Sequence, residues 1–169
     1  EGAVLEVETD HGRELTAQEI YQRVNPSVVT VMVQLDDSVS VGTGVIFRAD
    51  GYILTNYHVL AGGRDCTVAM DTGRTYEARY VAGDERNDLA VLKVELTGLP
   101  AATFGDSDQL VVGDKVYAIG NPLGVELRGT LTDGIVSAIN RDVQVDGRTM
   151  TLVQTNAALN SGNSGGPLI

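Results

Sequence analysis

The chain has 169 residues, 43% hydrophobic and 21% charged, a balance that suits a folded globular protein and excludes a disordered tail. Its formal net charge of −11 leaves no clustered Lys and Arg for phosphate contacts, which excludes a nucleic-acid partner. No apolar run is long enough to span a bilayer, and the single cysteine, Cys66, precludes an intrachain disulfide, so the fold must stand on its core.

Residues 1–15 mix charge and short apolar pieces without a period and read as an extended arm; they are too charged for a signal-peptide core, so a targeting segment is not expected within this chain. Thr16-Ala17-Gln18-Glu19 fits a capping box and predicts a helix of about two turns that Pro26 ends. The β-branched run 28–33 and the run 41–47 around Gly42 and Gly44 read as strands, joined by a short Asp36-Asp37-Ser38 turn. Further strands are expected over 52–55, 67–70, 75–81, 89–94, 115–119, 127–139 and 149–155. Turn pairs such as Asp50-Gly51, Gly113-Asp114, Asn121-Pro122 and Asp146-Gly147 separate them. Apart from the first helix, helix is expected only just after His58. Many short strands at this spacing point to an all-β barrel or sandwich, with a break near 98–108.

Gly162-Asn163-Ser164-Gly165-Gly166 sets a serine among glycines. A serine hydroxyl is inert at neutral pH; as a nucleophile it needs a base for its proton and donors for the oxyanion formed on attack. The flanking glycines let the backbone turn so that the N–H groups of Gly162 and Ser164 converge on one point. The pattern alone also fits a glycine-rich turn, and it matches the nucleophile elbow of α/β-hydrolases. There the histidine follows the serine, whereas the two histidines here, His11 and His58, both precede it. The order His, Asp, Ser is that of chymotrypsin-like proteases.

His11 sits among Glu8, Asp10, Arg13 and Glu14 and reads as a solvated side chain. His58 ends an apolar strand-like run, a place that also suits a structural histidine; if the chain holds a base, it is His58. Among the aspartates between His58 and Ser164, Asp88 heads the apolar run 89–94, where a shielded carboxylate can accept the Nδ1 proton of His58 and fix its tautomer. Asp84 is the weaker rival, and most of the others sit in turns such as Asp71-Thr72-Gly73.

Several stretches now combine: Gly42-Thr43-Gly44-Val45-Ile46, then Gly51 through His58-Val59, Asp88 through Val94, Phe104-Gly105-Asp106-Ser107, Gly120-Asn121-Pro122-Leu123-Gly124, Gly134-Ile135-Val136-Ser137-Ala138, and Gln154-Thr155-Asn156-Ala157-Ala158 leading into the serine motif. In this order they resemble the protease domain of the HtrA (Deg) family of bacterial serine endopeptidases, over residues 16–169. The resemblance implies a chymotrypsin-like double β-barrel after an arm and helix (1–26), with a first barrel (27–104) carrying His58 and Asp88 and a partial second (105–169) carrying Ser164. It implies His58 as base, Asp88 as orienting acid, Ser164 as nucleophile, an oxyanion loop of Gly162, Asn163 and Ser164, and no metal or cofactor. It also implies unfolded or damaged polypeptides as substrates, a homotrimer, an extracytoplasmic location, a membrane anchor and C-terminal PDZ domains. Arg141 stands where the family has a sensor loop linked to the oxyanion site; it equally reads as a surface-turn charge beside Asp142.

The chain departs from the pattern at Ser161, where Pro or Arg is usual, and at Asn156, where Asp is common. It also ends at Ile169, before the strands that close the second barrel in the family. A second expectation follows, that this chain by itself is an inactive or resting-state fragment serving as a binding or assembly module with open sheet edges.

Overall fold

A computed structural model describes residues 4–8, 12–60, 62–63, 65–121 and 129–169. The arm is not wholly irregular, since it contains a two-residue strand, β1 (Val7–Glu8). Thr16 then opens α1 (Ala17–Val24). Its hydroxyl accepts from the Glu19 N–H at 3.2 Å while the Glu19 carboxylate accepts from the Thr16 N–H at 3.4 Å, the reciprocal box that the sequence predicts. A 3₁₀ turn, Asn25–Ser27, carries Pro26 and ends the helical segment.

Six strands follow: β2 (Val28–Gln34), β3 (Val39–Arg48), β4 (Tyr52–Thr55), β5 (Cys66–Ala69), β6 (Thr75–Asp84) and β7 (Leu89–Lys93). They close into a barrel in the order β2-β3-β4-β7-β6-β5, with each neighbouring pair antiparallel. Closure leaves these strands without a free edge. A helical turn, α2 (Tyr57–Leu60), leads from β4 toward β5. Alternate valines of β2 (Val29, Val31, Val33) pack with Ile46, Ile53, Val68 and Leu92 in the barrel core, all with no exposed surface. Burying each such side chain contributes about 1.5–3 kcal/mol relative to exposure.

Beyond the barrel, β8 (Phe104–Gly105) pairs in parallel with β1, Val7 opposite Phe104. A second sheet of three antiparallel strands is built from β9 (Lys115–Gly120), β10 (Thr130–Val145) and β11 (Arg148–Thr155), with β10 central. Val116, Ala118, Ile119, Val136 and Ala138 are buried there. The strand expected over 127–139 is therefore longer at its far end; residues 127 and 128 lie outside the described residues. It continues to Val145 because the chain reverses only at Asp146-Gly147, both of which take positive φ, 48° and 77°. Arg141 is accordingly a strand residue opposite Leu152 and not a surface-turn charge. A register irregularity between Ala138 and Arg141, where Asn140 adopts φ 53°, bends the strand just before it.

Candidate active site

His58 lies within α2, immediately after β4, and not at the end of a strand as its apolar context suggests. Asp88 stands one residue before β7, which pairs with β4, so barrel closure brings the two together. Asp88 Oδ2 is 2.6 Å from His58 Nδ1, and Asp88 Oδ1 accepts the His58 backbone N–H at 2.8 Å. The Asp88 backbone is left-handed, φ 56°, and its carbonyl accepts from Asn56 Nδ2 at 2.8 Å. The Asp88 side chain is 17% exposed and the His58 ring 58%, so the carboxylate is shielded while the ring faces outward. A carboxylate at Nδ1 holds a proton there and leaves Nε2 free to accept one.

Asp84 is engaged elsewhere. Its two oxygens take the Asn87 side-chain Nδ2–H at 2.6 Å and the Asn87 backbone N–H at 3.1 Å. The Asn87 side-chain hydrogen bond, followed by its backbone one, lowers the Asp84 carboxyl pKa. Asp84 thus shapes the turn that presents Asp88.

Ser164 follows a 3₁₀ turn, Ser161–Asn163, and is tied to the barrel through Thr43 of β3. The Thr43 N–H donates to the Ser164 carbonyl at 2.8 Å, and its hydroxyl donates to the Gly162 carbonyl at 2.8 Å. That hydroxyl also accepts the Asn121 N–H at 3.2 Å, while the Thr43 carbonyl accepts from Thr55 Oγ1 at 2.7 Å. Glycines make this approach possible. A Cβ on Gly42 would meet the Val59 side chain of α2 at 2.7 Å, and Gly165, at φ +89°, would place one 2.0 Å from the Thr43 carbonyl oxygen. β3 therefore lies against both the histidine turn and the serine loop. After the serine, Tyr117 and Ile169 exchange two 2.8 Å backbone bonds, which lay the end of the chain along β9.

The N–H groups of Gly162 and Ser164 do not converge on an open point as expected. The Gly162 N–H donates to Asn160 Oδ1 at 3.0 Å, and the Ser164 N–H donates to the Ser161 carbonyl at 3.2 Å. The Ser161 carbonyl closes the 3₁₀ turn, so this N–H is already used within the loop. Asn163 gives its N–H to the Asn160 carbonyl at 3.0 Å, and its Oδ1 is buried without a partner. Among the described residues no hydrogen bond joins Ser164 Oγ to His58.

At the divergent position 156, Asn156 Oδ1 accepts the Ile135 N–H at 2.8 Å, so an amide oxygen anchors the loop to β10 as a carboxylate would. Thr43, Asn121 and Asn160 are the site residues the sequence reading passes over. The one signal for Thr43 is its pair of flanking glycines inside a strand. His11 and residues 122–124 lie outside the described residues. A cleft of about 860 Å³, lined by residues including Tyr57, Cys66, Glu77, Arg79 and Tyr80, contains none of His58, Asp88 and Ser164. Among the described residues no group of three or more His, Cys, Asp or Glu is placed to hold a metal ion.

A family model described as the trypsin-like peptidase domain matches residues 42–169. The chain is 48% identical over 135 residues to the serine protease Do-like HtrB of Bacillus subtilis, covering 75% of this chain and 30% of that protein. It is 46% identical over 129 residues to a probable periplasmic serine endoprotease, DegP-like, of Halomonas elongata, covering 76% of this chain and 27% of that one. Among solved structures it is similar to the HtrA-type protease AlgW with tripeptide, at TM-score 0.83 and 43% identity over 92% of this chain and 50% of that one. The chain thus spans at most half the length of these proteins.

Proposed function

The chain belongs to the trypsin-like peptidase family, with relatives of the HtrA type, and from that membership we propose that it is the catalytic part of a serine endopeptidase. In this reading Ser164 attacks the scissile carbonyl, His58 takes its proton through Nε2 and returns it to the leaving amine, and Asp88 holds the imidazole and stabilises its cation. The acyl group then rests on Ser164 until water, activated by His58, releases it. The Gly162 and Ser164 N–H groups serve as oxyanion donors once the Ser161–Gly162 peptide has turned over, with Asn163 between them. The observation that carries the reading is the double grip of Asp88 on His58, on ring and backbone at once.

The proposed substrates are unfolded or damaged polypeptides outside the cytoplasm, an assignment supported by periplasmic relatives of the DegP-like type. We extend the reading to a homotrimer and to C-terminal PDZ domains in the full-length protein, on the likeness to HtrA-type proteases alone. Arg141 is proposed as part of a regulatory strand whose pairing is irregular just before it. The occupied oxyanion donors favour a protease at rest, switched on by rearrangement of one loop.

A fluorophosphonate probe applied to the full-length protein tests the reading. Ser164 is expected to be labelled, with labelling lost in Ser164→Ala and strongly slowed in His58→Ala. A folded protein that the probe leaves unlabelled overturns the assignment.

A further inference from the structure

The turn that presents Asp88 is tight and has to be held in place. Asp84, the last residue of β6, pairs with Leu89, the first of β7, so residues 85–88 alone make the crossing. Asp88 does so with a left-handed backbone, φ 56°, a conformation disfavoured for any residue with a Cβ and kept only where other bonds fix it. Two of these bonds lie within the barrel, from the Asn87 N–H to the Asp84 carboxylate and from Asn56 Nδ2 to the Asp88 carbonyl. A third centres on the Glu85 carbonyl, which accepts the Asp88 N–H at 3.3 Å. The same oxygen takes a donor from outside the barrel, Nη1 of Arg148, which opens β11 just after the Asp146-Gly147 reversal. Arg148 is half-buried although it adjoins that reversal, and its Nε is buried without a partner among the described residues. A guanidinium gives up water only where another contact compensates, and here that contact is the Glu85 carbonyl.

We propose that Arg148 is a positioning residue for hydrolysis: reaching across from the second sheet, its guanidinium fixes the Glu85 carbonyl and so sets the turn from which Asp88 grips His58. The proposal rests on the serine-protease reading and adds to it a residue from outside the barrel that carries base and acid. The contacts run without a gap. Arg148 Nη1 donates to the Glu85 carbonyl, that carbonyl accepts the Asp88 N–H, and the Asp88 carboxylate holds both the ring and the backbone of His58. A carbonyl oxygen has two lone pairs and can serve both donors, so the Glu85 peptide cannot rotate without giving up both bonds. Without Arg148, the turn relies at this point on the Glu85–Asp88 bond alone, which at 3.3 Å is the longest of those that shape it.

A residue that acts through Asp88 differs from one that merely stabilises the hairpin, because its effect disappears once Asp88 can no longer orient the base. The experiment uses the full-length protein and reads the rate of Ser164 labelling by a fluorophosphonate, kcat and KM for an unstructured peptide, and Tm. Arg148→Ala is expected to lower kcat and labelling about tenfold, the factor contributed by one hydrogen bond from a charged donor, with KM little changed. Arg148→Met keeps the aliphatic stem without the donors and is expected to match it, so an alanine variant that fails to fold leaves the comparison intact. Arg148→Lys retains a charged donor and is expected to recover most of the loss. In an Asp88→Asn background, removing the Arg148 donors is expected to change labelling by less than about twofold. Wild-type kcat in Arg148→Met, whatever its Tm, overturns the proposal and leaves the protease reading standing. Losses that multiply in the double variant overturn it as well, since Arg148 would then act elsewhere. Absence of Ser164 labelling in the folded wild type overturns both.

Discussion

Asp88 reaches His58 with both carboxylate oxygens, one on the ring Nδ1 at 2.6 Å and one on the backbone N–H at 2.8 Å, so a single side chain fixes the ring's tautomer and the position of the helical turn that carries it. An asparagine at this position can satisfy one donor as an acceptor, but its amide end donates and so opposes the Nδ1 proton. Asp88→Asn is expected to lower kcat by about 10⁴ with the fold intact, measured as peptide hydrolysis alongside circular dichroism. A loss below tenfold would remove Asp88 from the orienting role.

Thr43 is a second pivot, and its hydroxyl serves two buried partners, the Gly162 carbonyl and the Asn121 N–H. Thr43→Val keeps the shape of the side chain and leaves both unpaired, which is expected to cost about 1–3 kcal/mol in denaturant unfolding. Thr43→Ser retains the hydroxyl and is expected to recover most of that stability.

Gly165 combines a left-handed backbone, φ +89°, with a Cβ position 2.0 Å from the Thr43 carbonyl oxygen. Gly165→Ala therefore costs more than the roughly 1–2 kcal/mol of the left-handed conformation alone, because the oxygen it meets is backbone already held by Thr55. A lowered Tm and loss of Ser164 labelling are expected; a Tm equal to wild type would show that the loop sits elsewhere.

The Glu19 carboxyl is held at about 2, well below its ordinary 4.5, first by the side-chain hydrogen bond from Arg13 and then by the Thr16 backbone N–H. Because the folded value is the depressed one, the pair's contribution to stability is complete above pH 4.5 and is lost as pH falls from there through 2. The carboxylate is partly exposed to solvent, so salt weakens the effect. Carboxyl titration by NMR is expected to give a midpoint near 2 that rises with added salt and is absent in Glu19→Gln.

The parts of this molecule legible in its sequence are those set by contiguous residues. The capping box at Thr16 and Glu19, the alternating valines of β2 and the turn at Asp146-Gly147 each depend on near neighbours, and each forms as the pattern predicts. Asp88 stands out in the sequence because it heads an apolar strand, and its left-handed backbone explains why the carboxylate can turn back to α2. Asp84 could be ranked below it only loosely, since the Asn87 bonds that occupy Asp84 follow from turn geometry and not from composition. What stayed hidden was set by distant contacts. The extension of β10 through Arg141 depends on pairing with β11, and the internal hydrogen bonding of the loop before Ser164 depends on which way one peptide faces, a choice that leaves no trace in residue identity.

The bond from Thr43 to Gly162 joins positions 119 residues apart in the chain. Contacts of that span are the last to form as a β-rich protein folds, because a long loop must close before they give anything back. The His58–Asp88 contact spans only 30 residues and lies within the barrel, so it can form before the loop that carries Ser164 docks. In the proposed reading, hydrolytic competence therefore waits on the one long-range contact from Thr43 to Gly162, whichever local elements are already in place.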